Sequence, residues 1–134
     1  MAMIGSPAQD GAPGGARQVA IIDDDAAVRD SLRFLLGVSG YVVATYASAD
    51  DFLTHCDRSG LAGLILDHHM PHVTGLELAA RLRAQGDRLP IMLITGSPSP
   101  AISARAAALG IEQVLEKPPA EDDLLHFVAA VLSS

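Results

Sequence analysis

A chain of 134 residues has the length of one ordinary domain, enough to bury a core without disulfides or a structural metal. Its formal charge of −7, with no run of Lys or Arg, argues against nucleic acid being bound by this chain itself, since phosphate backbones are held mainly through clustered cations. With 49% hydrophobic but only 4% aromatic residues, the core must come from Val, Ile, Leu and Ala, a mixture suited to an α/β fold, and no stretch reaches the ~18 apolar residues that span a bilayer.

Residues 1–17, rich in Gly, Ala, Pro and Ser and without hydrophobic period, read as a flexible leader, and residues 18–134 as one domain. A first strand is predicted over Gln18 to Asp23, then a helix over Ala26 to Val38 that aligns Val28, Leu32, Leu35 and Leu36 and stops before Gly40. The next strand, Tyr41 to Tyr46, leads to a helix over Ser48 to Cys56 that opens with the capping sequence Ser-Ala-Asp-Asp. Gly63 to Leu66 and Leu76 to Ala84 make the third strand and helix. Ile91 to Ile94 and Ala101 to Leu109 make the fourth, with Pro98 and Pro100 confining the helix start to near Ala101. The fifth pair is Gln113 to Leu115 and Glu121 to Leu132. Short apolar runs alternating with amphipathic stretches are the pattern of parallel strands joined by crossover helices, and the central runs are apolar on both faces. The single Cys56 cannot form an internal disulfide, and the N-terminus lacks a basic region followed by an apolar one, so a cytoplasmic, unexported protein is expected.

In such a sheet the carboxyl ends of the strands converge on one edge, where ligands bind. The predicted strands end there in Asp23-Asp24-Asp25, Asp67, Thr95 and Glu116-Lys117. Brought together, Asp23, Asp24 and Asp67 repel one another unless a cation neutralises them, and oxygen-only ligands favour Mg²⁺ or Mn²⁺. Taken alone, the aspartate run reads as the cap of the helix that follows; its pairing with Asp67 turns the reading toward a metal. Lys117 is the sole lysine beside eight arginines. A compact ammonium bonds a carboxylate or phosphoryl oxygen where a guanidinium fork is too broad. A cis Lys117-Pro118 bond is compatible with the sequence. Thr95, followed by Gly96, can turn its hydroxyl toward a phosphoryl oxygen, although strand ends also favour Thr on propensity alone.

In this order on successive strand ends, Asp23-Asp24, Asp67, Thr95 and Lys117 resemble the CheY-like receiver domain of bacterial response regulators, over about residues 18–132. The local text is similar too: Ile-Ile-Asp-Asp-Asp-Ala-Ala-Val-Arg from Ile21 to Arg29, Asp67-His68-His69-Met70-Pro71 with Gly75, and Glu116-Lys117-Pro118. Among receivers it looks most like those ahead of LuxR-type DNA-binding domains, as in the nitrogen-fixation regulator of rhizobia. The resemblance implies a flavodoxin-like (βα)5 fold, a doubly wound five-stranded parallel sheet of strand order 2-1-3-4-5. It also implies a two-component signalling module, not an enzyme, whose only chemistry is its own phosphorylation and dephosphorylation. Asp67 would accept a phosphoryl group from a sensor histidine kinase or a histidine phosphotransfer protein. Mg²⁺ would be held by Asp24, Asp67 and the backbone carbonyl of His69, with Asp23 bound through water. Thr95 and Lys117 would hold the phosphoryl oxygens, and movement of Thr95 would reach the face formed by the fourth helix, fifth strand and fifth helix, the implied surface for output or for a homodimer.

Two features depart from the family pattern. Val114 stands where many receivers carry an aromatic relay residue, and His69 and Ser97 occupy positions whose side chains tune the lifetime of the phosphoryl group. With Pro71 breaking any helical ligand spacing, His68, His69 and His72 are expected as surface loop histidines and not as a Zn²⁺ or Ni²⁺ site. The competing functional readings are an inactive pseudo-receiver and a Mg²⁺-dependent phosphohydrolase with an aspartate nucleophile. The latter places a second aspartate two residues after the first, where this chain has His69.

Overall fold

The computed structural model describes residues 17–133, so the expected leader at residues 1–17 lies outside the described residues except for Arg17. The apolar runs form strands β1 Gln18–Ile22, β2 Val43–Tyr46, β3 Leu61–Asp67, β4 Ile91–Thr95 and β5 Gln113–Glu116; the amphipathic stretches form α1 Ala26–Val38, α2 Ala49–His55, α3 Gly75–Ala84, α4 Pro100–Ala108 and α5 Glu121–Leu132. All pairings are parallel, in the order β2-β1-β3-β4-β5. The expected α/β class and strand order therefore hold.

Alternation along the strands sends successive residues to opposite faces, and each face is covered. Ala20, Ile22, Leu64, Leu66 and Leu93 pack with Phe52 of α2, Leu76, Leu78 and Leu82 of α3, and Ala106 of α4. Val19, Ile21, Ile65, Met92 and Ile94 pack on the other side with Leu32 and Leu36 of α1 and Leu124, Phe127 and Val128 of α5. Every residue of β3 and β4 is buried, which is why those two segments read as continuous apolar runs. No helix among the described residues is long and apolar enough to cross a membrane.

Boundaries shift for local reasons. β2 begins at Val43 and not Tyr41, because Gly40 adopts φ +92° and the Tyr41 N–H closes the end of α1 on Leu36 O at 3.0 Å. β3 begins two residues before the predicted Gly63, after a 3₁₀ turn over Arg58–Gly60. Gly63 belongs inside the strand because α5 crosses it closely: a Cβ there would lie 2.9 Å from Val131 Cγ2. Ser48 and Ser99 cap α2 and α4, so the helices start at Ala49 and Pro100. β1 and β3 part company at the centre of the sheet, the chain leaving β1 for one edge and returning to β3 on the other side. The crevice above their carboxyl ends is the switch point at which such sheets bind ligands.

Candidate functional site

The aspartate run after β1 divides its labour. Asp25 caps α1, accepting from the N–H groups of Ala27 and Val28 at 2.9 and 3.4 Å. That leaves Asp23 and Asp24 to the crevice. Asp23 is 3% exposed; its Oδ1 accepts from the Asp25 N–H at 2.9 Å, and its carbonyl accepts from Arg29 Nη1 at 2.6 Å. Asp24 is exposed. Asp67, the last residue of β3 and also 3% exposed, accepts from the His69 N–H at 3.2 Å through Oδ1. That bond holds the His69 peptide beside the carboxylate. One oxygen from each of Asp23, Asp24 and Asp67 lies within 4.8 Å of the others.

Lys117, just past β5, reaches into this cluster, its Nζ 3.0 Å from Asp23 Oδ2 and 3.4 Å from Asp67 Oδ2. Its own N–H donates to Thr95 O at 2.9 Å, and the Lys117–Pro118 bond is cis. Three carboxylates against one ammonium leave two negative charges in a small, partly buried space. An all-oxygen donor set with that residual charge fits a hard divalent cation. The strain shows in the protonation equilibria. Burial, and next the charge of Asp23, push the Asp67 carboxyl above the ordinary range, against the opposing pull of the His69 N–H and Lys117. Burial disfavours the Lys117 ammonium, but the hydrogen bond and charge of Asp23 and the charge of Asp67 outweigh it and raise its pKa.

The segment after Asp67 is fitted to the site by a glycine. A Cβ on Gly75 would meet Asp67 O at 2.6 Å and His68 Cα at 2.9 Å, so only glycine lets α3 start against the end of β3. Thr74 and Glu77 form a reciprocal capping box at that start. Gly75→Ala is expected to cost about 1–3 kcal/mol, the usual toll of overpacking against backbone. The denaturant midpoint should fall accordingly, with no change in the slope of the transition.

Thr95 is fully buried at the end of β4. Its Oγ1 accepts from the Ser97 N–H at 3.1 Å and lies 2.6 Å from His69 Nε2, so its hydrogen bonds go to the β3–α3 loop and its own turn. The sequence marks His69 as a surface loop histidine at a lifetime-tuning position and gives no sign of this contact with Thr95. His69 and His72 are indeed exposed. His68 is half-buried and its Nδ1 accepts from the Leu76 N–H at 3.4 Å; burial, and next the neighbouring His69, lower its pKa. Among the described residues the one group with metal-holding spacing is Asp23, Asp24 and Asp67, without a histidine.

Residues 19–129 match the family described as the response regulator receiver domain. The chain belongs to that family. This receiver is 36% identical over 112 residues to the transcriptional regulatory protein FixJ of Bradyrhizobium diazoefficiens, a match covering 84% of this chain and 55% of FixJ. It is 39% identical over 121 residues to the transcriptional regulatory protein TdiR of Thauera aromatica, covering 90% and 53%. The solved structure of the response regulator StyR superposes with a TM-score of 0.80 at 35% identity, covering 88% of the receiver and 60% of StyR. The chain thus spans about half the length of the curated relatives it matches. It is a receiver domain of the two-component kind, a family of signalling modules that work with histidine kinases and output domains.

Proposed function

We propose that Asp67 is the phosphoacceptor of this receiver, and that Asp23, Asp24, Asp67 and the His69 carbonyl hold Mg²⁺, with Mn²⁺ as a substitute. The observation that carries this reading is the Lys117 ammonium shared between two buried carboxylates at the switch point of the sheet. Phosphoryl transfer needs positioning and charge neutralisation more than covalent help from side chains. When bound, the metal ion supplies neutralisation of the carboxylates and of the incoming phosphoryl oxygens. A carboxylate oxygen of Asp67 forms the new P–O bond as the P–N bond of a donor phosphohistidine breaks, and the donor ring leaves with the electron pair. Lys117 then redirects one of its N–H donors from the Asp67 carboxylate to a phosphoryl oxygen, keeping its proton, and Thr95 donates its hydroxyl to another.

The donor is a sensor histidine kinase or a histidine phosphotransfer protein, and the unpaired Cys56 agrees with a cytoplasmic meeting place. The module's own chemistry ends with loss of the phosphoryl group to water. Output, or a homodimer, uses the α4-β5-α5 face. In support, Thr95 pairs with Glu116 of β5 and its carbonyl accepts from the Lys117 N–H, so a displacement of Thr95 pulls directly on the edge strand. The test is incubation with acetyl phosphate and Mg²⁺ followed by intact mass measurement and peptide mapping. One phosphoryl increment on the peptide containing Asp67 is expected, and EDTA should abolish it. No increment with Mg²⁺ present would make the chain an inactive pseudo-receiver.

A further inference from the structure

His69 touches both halves of the site. Its peptide N–H is bonded to Asp67 Oδ1, and its ring Nε2 lies 2.6 Å from Thr95 Oγ1. The direction of the second bond follows from the surroundings of Thr95. A hydroxyl has one proton to give and two lone pairs to receive, and a buried one needs an acceptor for its proton. Thr95 is 0% exposed, and its other hydrogen-bond partner, the Ser97 N–H, is a donor. The partner able to accept is His69 Nε2, which places the ring's own proton on Nδ1. In this state the Thr95 proton is committed to the imidazole.

We propose that the His69 ring is a latch on Thr95. It holds the hydroxyl in the unphosphorylated receiver, and the hydroxyl must leave it before serving a phosphoryl oxygen on Asp67. His69 is thus a positioning residue that sets the resting balance against the switched state. The inference rests on Asp67 being the phosphoacceptor. Geometry favours a releasable latch: Thr95 is buried at the end of β4, whereas His69 is exposed on a loop. The same residue feels events at Asp67 through its peptide, so a change at the acceptor reaches the latch without a longer path.

The experiment is a titration with beryllofluoride in Mg²⁺, a phosphoryl mimic that binds carboxylates, followed by NMR of the backbone amides. His69→Ala is expected to bind the mimic about fivefold more tightly than the wild type, the worth of one net hydrogen bond removed from the resting state alone. His69→Gln, whose amide oxygen reaches as far as Nε2 and accepts the same proton, should return affinity to near the wild-type value. In a Thr95→Val background His69→Ala should change nothing, since the latched group is gone; this double-mutant cycle separates the latch from any effect of ring bulk. The latch is overturned if His69→Ala binds no more tightly than the wild type, or if its gain survives in Thr95→Val. Failure of the wild type to bind the mimic at all would overturn the phosphoacceptor reading itself, and the latch with it.

Discussion

Asp67→Asn is expected to take up no phosphoryl group from acetyl phosphate under any condition, and at the same time to melt a few degrees above the wild type in metal-free buffer at neutral pH. The loss follows from chemistry, because an amide oxygen is not a nucleophile toward phosphorus in this setting. The gain follows from electrostatics. Asp67 sits in a buried space beside Asp23, and both effects favour its neutral form. Because its pKa is raised in the folded state, the fold binds the Asp67 proton more tightly than the unfolded chain does. Stability is therefore lost as pH rises from the ordinary aspartate range through the raised value, and the penalty stays in place above it. Asparagine carries no such penalty, so the difference should vanish in acid. Mg²⁺ should stabilise the wild type and narrow the gap, since a ligand that binds only the folded state adds stability by mass action. Scanning calorimetry in EDTA and in Mg²⁺ reads all three effects, and an Asp67→Asn protein less stable than the wild type in EDTA would contradict the charge assignment.

That trade of stability for function explains what was legible in the sequence. β3 and β4 announce themselves because double burial demands unbroken apolar residues, and the polar residues at their ends, Asp67 and Thr95, are conspicuous because they break that rule. Asp67 could be singled out for this reason, and Asp23, Asp24 and Lys117 by their places at the ends of the other strands, with Lys117 the sole lysine of the chain. The sequence was silent where the outcome depends on tertiary neighbours. Gly63 looked like a strand boundary until α5 was laid across it, and Tyr41 looked like strand until the end of α1 claimed its N–H. The run Asp23-Asp24-Asp25 does not say which member caps the helix; the turn geometry assigns that role to Asp25. The bond between His69 and Thr95 joins residues 26 apart and depends on a side-chain rotamer in a loop, which no periodicity encodes. Adjacent parallel strands carrying the two residues at their ends were the available hint, since Asp67 pairs with Ile94.

Lys117 offers the sharpest separation between charge and shape. Its Nζ stands between Asp23 Oδ2 at 3.0 Å and Asp67 Oδ2 at 3.4 Å, a spacing that one compact ammonium fills with two hydrogen bonds. Lys117→Ala should slow phosphoryl acceptance by roughly 10²–10³, the usual effect of removing one preorganised donor aimed at developing negative charge. It should also lower the melting temperature in EDTA, because Asp23 and Asp67 then face each other without a counter-charge, and Mg²⁺ should restore much of that loss. Lys117→Arg keeps the positive charge but spreads it over a planar fork with fixed donor directions. Two carboxylate oxygens contributed by different strands do not present the coplanar edge that such a fork matches. The arginine variant is therefore expected to recover most of the melting temperature but little of the rate, as read by the time course of the intact-mass increment at fixed acetyl phosphate. The sequence already hints at this outcome, since a chain that fills every other basic position with arginine keeps lysine here. An arginine variant phosphorylated as fast as the wild type would show that any cation suffices, and that the compactness of the ammonium contributes nothing to the chemistry at Asp67.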